Sequence, residues 1–153
     1  MNIVKRSKKW NLRLSRKKPF SVKSKTIAAY ILTALFASWI GTYLDLYFVG
    51  NEWYSFPLRP YSAIFTINIV FTLIGLPIFT FCFLYFMEKL NIWKKGAFII
   101  MASLAMSFVE KQSEAFGWFV HHNQWKHSYS FFGYGLFMII VWKFFRWMNS
   151  IMS

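Results

Sequence analysis

A chain of 153 residues has the length of one domain, yet 57% of it is apolar, 23% aromatic and only 15% charged, too little polar material to cover a water-soluble fold. The net charge of +13 would suit a nucleic-acid binder, but ten of the 18 Lys and Arg side chains lie between Lys5 and Lys25, just ahead of the first apolar block. No zinc knuckle or RNP-type strand accompanies them, so nucleic acid is excluded as a partner.

Residues 1–25 read as a basic cytoplasmic tail and residues 26–153 as a membrane domain. The tail, from Lys5-Arg6-Ser7-Lys8-Lys9 through Arg16-Lys17-Lys18, sets topology and suits an anionic lipid surface. Pro19 separates it from the first apolar block. That block begins like a signal peptide, but Leu35 fills a position where the peptidase needs a small residue, and the apolar run continues through Trp39, Ile40 and Leu44. An uncleaved anchor is expected.

Four spans follow, at about residues 27–47, 63–86, 96–120 and 129–147, each long enough to cross a hydrocarbon core of about 30 Å. Helices alone satisfy their own backbone in lipid, and these blocks lack the alternation of barrel strands. The expected fold is an all-α four-transmembrane-helix bundle. Between the first two spans, Gly50 to Pro60 carries two prolines and several aromatics and reads as a packed lid. Pro77, with Gly75 nearby, predicts a kink in the second span by freeing the Leu73 carbonyl. Cys82, the only cysteine, rules out a disulfide within the chain.

Fifteen Lys and Arg lie in the tail, the loop holding Lys89, Lys94 and Lys95, and the C-terminal end with Lys143 and Arg146, against Arg59 and Lys126 on the other side. This asymmetry predicts that both termini are cytoplasmic. Trp53, Tyr54, Tyr61, Trp118, Trp125 and Tyr129 would form the outer aromatic belt, and Tyr85, Trp93, Trp142 and Trp147 the inner one.

Polar residues inside spans are costly and therefore informative. Asp45, Asn68, Glu110, Lys111 and Glu114 form the expected intramembrane cluster, with Asp45 and Glu114 both about 27 Å along their helices. Ala34, Ser38, Gly41 and Asp45, and likewise Ser103, Ser107, Glu110 and Glu114, are spaced four, three and four apart. Each set makes one small or polar face that should point inward, and Gly117 and His121 extend the second if its helix persists. Arg59, His121, His122 and His127 would roof the cluster.

One reading is a buried ionic network in which Lys111 and Arg59 neutralise the acids in a non-enzymatic accessory or assembly component. Another is a proton- or cation-linked transporter or channel using Asp45, Glu110 and Glu114, in which a homo-oligomer would build the pathway. A metal-dependent membrane enzyme is the weakest, because adjacent His121-His122 cannot share a helix face and no HExxH or paired ExxH is present. No catalytic motif, resident metal or cofactor is expected. Gly133 and Gly135 suggest close helix packing.

Tyr43-Leu44-Asp45-Leu46, Ser55-Phe56-Pro57 with Arg59-Pro60, and Glu110-Lys111 with Glu114, Phe116-Gly117, His121, Trp125-Lys126-His127 and Tyr129-Ser130 form a further pattern. It resembles the recurring segments of a family of small uncharacterised multi-span membrane proteins from spore-forming Gram-positive bacteria. The resemblance runs from the first span onward and implies a bacterial cytoplasmic membrane. It carries no catalytic or binding role.

Overall fold

The computed structural model describes residues 22–122 and 125–152. The basic stretch as far as residue 21 lies outside the described residues. The architecture is 77% helical, and four helices are long and apolar enough to cross a membrane: Thr26–Gly50, Phe71–Lys89, Ile92–Ala115 and Ser128–Met152. In chain order the elements are α1 (Val22–Gly50), β1 (Tyr54–Ser55), a π-helical turn (Phe71–Gly75), α2 (Leu76–Lys89), α3 (Ile92–Ala115), β2 (Val120–His121) and α4 (His127–Met152).

Helix α4 packs against α1 and α3, and α1 against α2. The shared core is built from Ala29, Ala37, Phe83, Leu84, Met87, Met138, Val141 and Phe145. Phe83 stacks on Phe98 at 5.9 Å, which joins α2 to α3. Large apolar side chains such as Trp39, Ile78, Leu104 and Leu136 point outward, an arrangement that water would penalise and lipid accepts. Two ends of the bundle differ. The loops between α1 and α2 and between α3 and α4 meet at a lid end. At the opposite end, Asn91 caps α3 by accepting from the Lys94 amide at 3.1 Å, and the Tyr30 hydroxyl donates to Glu88.

The helices depart from the expected spans at several ends, and at three of them the local reason is plain. Helix α3 stops at Ala115 rather than running to Val120, because Gly117 takes φ +71° and closes a Schellman turn. There the Trp118 amide donates to the Ser113 carbonyl and the Gly117 amide to that of Glu114, both at 2.9 Å. Gly117 and His121 therefore do not continue the α3 stripe. Helix α1 ends in the same way, with Trp53 donating to Phe48 and Glu52 to Val49, but here the left-handed position is held by Glu52 at φ 58°.

The second span begins later than residue 63. Arg59 ties the preceding loop together, donating to the carbonyls of Phe65 at 2.6 Å and Phe56 at 2.7 Å. Asn68 then accepts from the Phe71 amide at 3.2 Å, so it stands at the helix start and not within the membrane-spanning helix.

The proline distortion in this helix also takes a different register. Between Phe71 and Gly75 the backbone is π-helical, and the Leu76 amide donates to Phe71. In that five-residue register the partner of the Thr72 carbonyl would be the nitrogen of Pro77, which carries no hydrogen. In that register the Thr72 carbonyl has no backbone donor from Pro77. It is satisfied from the neighbouring helix by the Ser38 hydroxyl at 2.6 Å. One turn further along α1, an added Cβ on Gly41 would come within 2.3 Å of the Leu76 side chain. The small face of α1 thus permits the close approach that the Ser38 bond requires.

Ser38→Ala is expected to cost about 1–2 kcal/mol by stranding the Thr72 carbonyl, measured by thermal unfolding in detergent. Glu52→Gly is expected to stabilise by about 1 kcal/mol, since glycine adopts the left-handed conformation without steric cost; a lowered unfolding midpoint would contradict this.

Candidate functional site

The site is assembled by α3, α4 and the lid. The pairing of β1 with β2 sets Tyr54 opposite His121 and Ser55 opposite Val120. A small apolar core of Tyr54, Phe56, Ile67 and Phe119 anchors the lid, with Phe48, Val49 and Ile69 packed around it. Trp53, Trp125 and Phe48 lie ring to ring at 5.2–5.5 Å. Tyr54 is therefore a buried lid residue rather than part of an interfacial belt.

Glu110 is the centre of the polar network. Its Oε1 accepts from the Ser130 hydroxyl at 2.5 Å, and its Oε2 accepts from the Tyr134 hydroxyl. Ser130 in turn accepts from the Trp125 indole N–H at 2.8 Å, which leaves the serine hydrogen free to point at Glu110. His121 lies between two carboxylates, with Nε2 at 2.9 Å from Glu110 Oε1 and Nδ1 at 3.3 Å from Glu114 Oε1. Glu114 Oε1 also accepts from the His121 backbone amide at 3.2 Å. Asp45 accepts from the Tyr54 hydroxyl at 2.6 Å. Burial first, and then the Asp45 carboxylate, hold the Tyr54 hydroxyl above its ordinary pKa, so it remains a donor.

The two faces expected to point inward do so: Ala34, Ser38, Ser103 and Glu110 are buried. Asp45, Glu110, Glu114 and His121 belong to the network. Four other expected members do not. Lys111 is exposed on α3, and the ion pairs seen among the described residues are made by His121 instead. Arg59 spends its donors on loop carbonyls. Asn68 caps its own helix, and His122 is exposed, with its backbone amide on the Trp53 carbonyl at 3.0 Å. His127 opens α4, and its side chain lies outside the described ones.

The donors that take the place of Lys111 and Arg59 are neutral hydroxyls. Ser130 and Tyr134 are four residues apart and continue through buried Met138, Val141 and Phe145, which makes the inward stripe of α4. That spacing was available in the sequence. Gly135 lies where an added Cβ would be 3.3 Å from Ser103 Oγ, whereas Gly133 has nothing near it, so only the former serves helix packing.

Among the described residues, no group of three or more His, Cys, Asp or Glu side chains is arranged to hold a metal ion. Comparisons with protein-family models, curated proteins and solved structures find no match to this chain.

Tyr54→Phe removes the hydroxyl that Asp45 accepts. It is expected to destabilise the protein by about 1.5–3 kcal/mol, the range for a hydrogen bond to a charged group. Thermal unfolding of the purified variant measures this, and an unchanged midpoint would place Asp45 outside the stabilising network.

Proposed function

We propose that the chain is a multi-pass protein of a bacterial cytoplasmic membrane, belonging with the small multi-span proteins that its segments resemble, with both termini in the cytoplasm. It acts as a non-enzymatic accessory or assembly component whose polar network clamps an outer lid onto the helix bundle. The observation that carries this reading is the saturation of Glu110: Ser130 and Tyr134 from α4 and His121 from the lid all converge on one buried carboxylate. A carboxylate so fully engaged ties α3, α4 and the lid to one point.

The orientation is supported by the charge asymmetry, fifteen basic residues against two. On the inner side the basic tail lies against anionic lipid. A reporter that fluoresces only in the cytoplasm should be active at either terminus, and alkaline phosphatase should be active only when fused within the lid; the reverse pattern overturns the topology.

A second reading, a proton- or cation-linked transporter or channel, draws on the charge balance of the site. Asp45, Glu110 and Glu114 gather near the lid end, and neither Lys111 nor Arg59 is paired with them. The two readings separate experimentally. Under the clamp reading, Glu110→Gln should lower detergent-solubilised stability by roughly 2 kcal/mol, because a carboxylate oxygen facing a donor becomes an amide NH2, and purified protein in liposomes should dissipate neither a pH nor a cation gradient. Unchanged stability together with gradient dissipation that Glu110→Gln abolishes would replace the clamp with the transporter.

A further inference from the structure

Of the five acids in the chain, Asp45, Glu52, Glu110 and Glu114 belong to the lid end, and Glu88 stands alone at the opposite end, which also carries Lys89, Lys94 and Lys95. Glu88 Oε2 accepts the Tyr30 hydroxyl, and among the described residues no Lys or Arg forms an ion pair with it. An ionised carboxylate offers about four acceptor sites, so most of its capacity remains at an exposed position. Lys89, its neighbour, turns elsewhere. The Lys89 ammonium donates to the Tyr85 hydroxyl and lies 3.8 Å from the centroid of that ring, which occupies one of its three donors.

Glu88 and Lys89 follow Tyr85 by three and four residues, so both end one face of α2. On that face Phe81, Cys82, Tyr85 and Phe86 combine with Tyr30 of α1 to line a cleft of about 470 Å³, open on the outward side of the bundle. Tyr30 is its fixed wall. It stacks on Phe81 at 5.9 Å with 8° between planes, meets Phe145 edge to face at 4.9 Å, and is held at its hydroxyl by Glu88. The cleft lies between the apolar helices Thr26–Gly50 and Phe71–Lys89. From Cys82 to Lys89 the rise is about 10 Å, so the apolar walls run into the hydrocarbon and the two charges stand at its edge.

An apolar trough that ends in one carboxylate and one ammonium, each steadied by a tyrosine of the trough, is complementary to a chain whose headgroup carries both opposite charges. We infer that this cleft binds a zwitterionic aminophospholipid of the phosphatidylethanolamine type: an acyl chain lies against Tyr30, Phe81 and Phe86, the phosphate meets Lys89, and the primary ammonium meets Glu88. An anionic headgroup without an amine would satisfy Lys89 but set negative charge against Glu88. A choline headgroup has the right charge but no N–H, and so forfeits the charge-assisted hydrogen bond to the carboxylate. The inference rests on the multi-pass membrane reading and is independent of the clamp.

The test is retention of lipid by the purified full chain, read by native mass spectrometry after incubation in detergent with equal amounts of phosphatidylethanolamine, phosphatidylcholine and phosphatidylglycerol of matched chains. The ethanolamine lipid should be retained over each of the others by roughly fivefold, the upper end of what an exposed ion pair supplies. Glu88→Gln should remove the preference over the choline lipid while leaving lipid bound, and Lys89→Gln should weaken retention of all three. Cys82→Trp, which fills the cleft, should abolish retention. A second readout needs no variant, because Cys82 is exposed and is the only cysteine: the ethanolamine lipid should slow its modification by N-phenylmaleimide more than the choline lipid does. Retention that does not favour the ethanolamine lipid, or a preference that survives Glu88→Gln, overturns recognition of the zwitterion. Lipid retained equally by Cys82→Trp, or a wild-type Cys82 that no lipid shields, overturns the cleft as the site and leaves the membrane reading intact. Release of the chain from membranes by an alkaline carbonate wash overturns the membrane reading and the lipid site together.

Discussion

Glu110 is the node on which the lid end depends. A carboxylate buried among apolar helices is tolerated only when its oxygens are engaged by donors. Here the donors are the Ser130 and Tyr134 hydroxyls of α4, and the lid comes in beside them with His121 Nε2 at 2.9 Å from Oε1. Satisfying one side chain therefore fixes the rotation of α3 against α4 and the seating of the short hairpin above them. The Trp125 bond to Ser130 extends the same constraint to the aromatic cluster, so the polar and apolar halves of the lid share one registration.

The same rule operates lower in the bundle on a backbone group. Pro77 removes a donor from α2, the helix answers with a π-helical turn, and the leftover Thr72 carbonyl is satisfied by Ser38 from α1. The close packing at Gly41 is what brings the hydroxyl within reach. Small residues on α1 are thus tied to the proline on α2. In a bundle with an apolar exterior, such polar contacts distinguish one helix arrangement from another more sharply than apolar packing does.

Helix α3 stands apart. It is the least buried of the four spanning helices, and its main partner is α4. It is held by Phe98, Ile99, Ala102 and Met106 against the shared core, by Ser103 against Gly135, and by the Glu110 network. A helix so thinly packed is where a change in one polar contact has the largest structural consequence.

The sequence by itself determined the four apolar helices, because length and hydropathy are local properties. It also determined the inward direction of Ser38, Ser103 and Glu110, because a polar face on an apolar helix has one favourable orientation. The partners of those faces belonged to the tertiary structure. Lys111 and Arg59 looked like counter-charges by their proximity in the chain. However, Lys111 projects from the outward side of α3, and Arg59 is consumed by its own loop, whose carbonyls lack regular partners. Asn68 was lost from the cluster because the helix start depends on which polar group caps it. The residues that do meet Glu110 come from positions 121, 130 and 134, and only the hairpin pairing of Tyr54 with His121 and the packing of α4 on α3 bring them to one point. Helix direction is written in periodicity, while the identity of a hydrogen-bond partner across the bundle is decided by how separate elements stack in space.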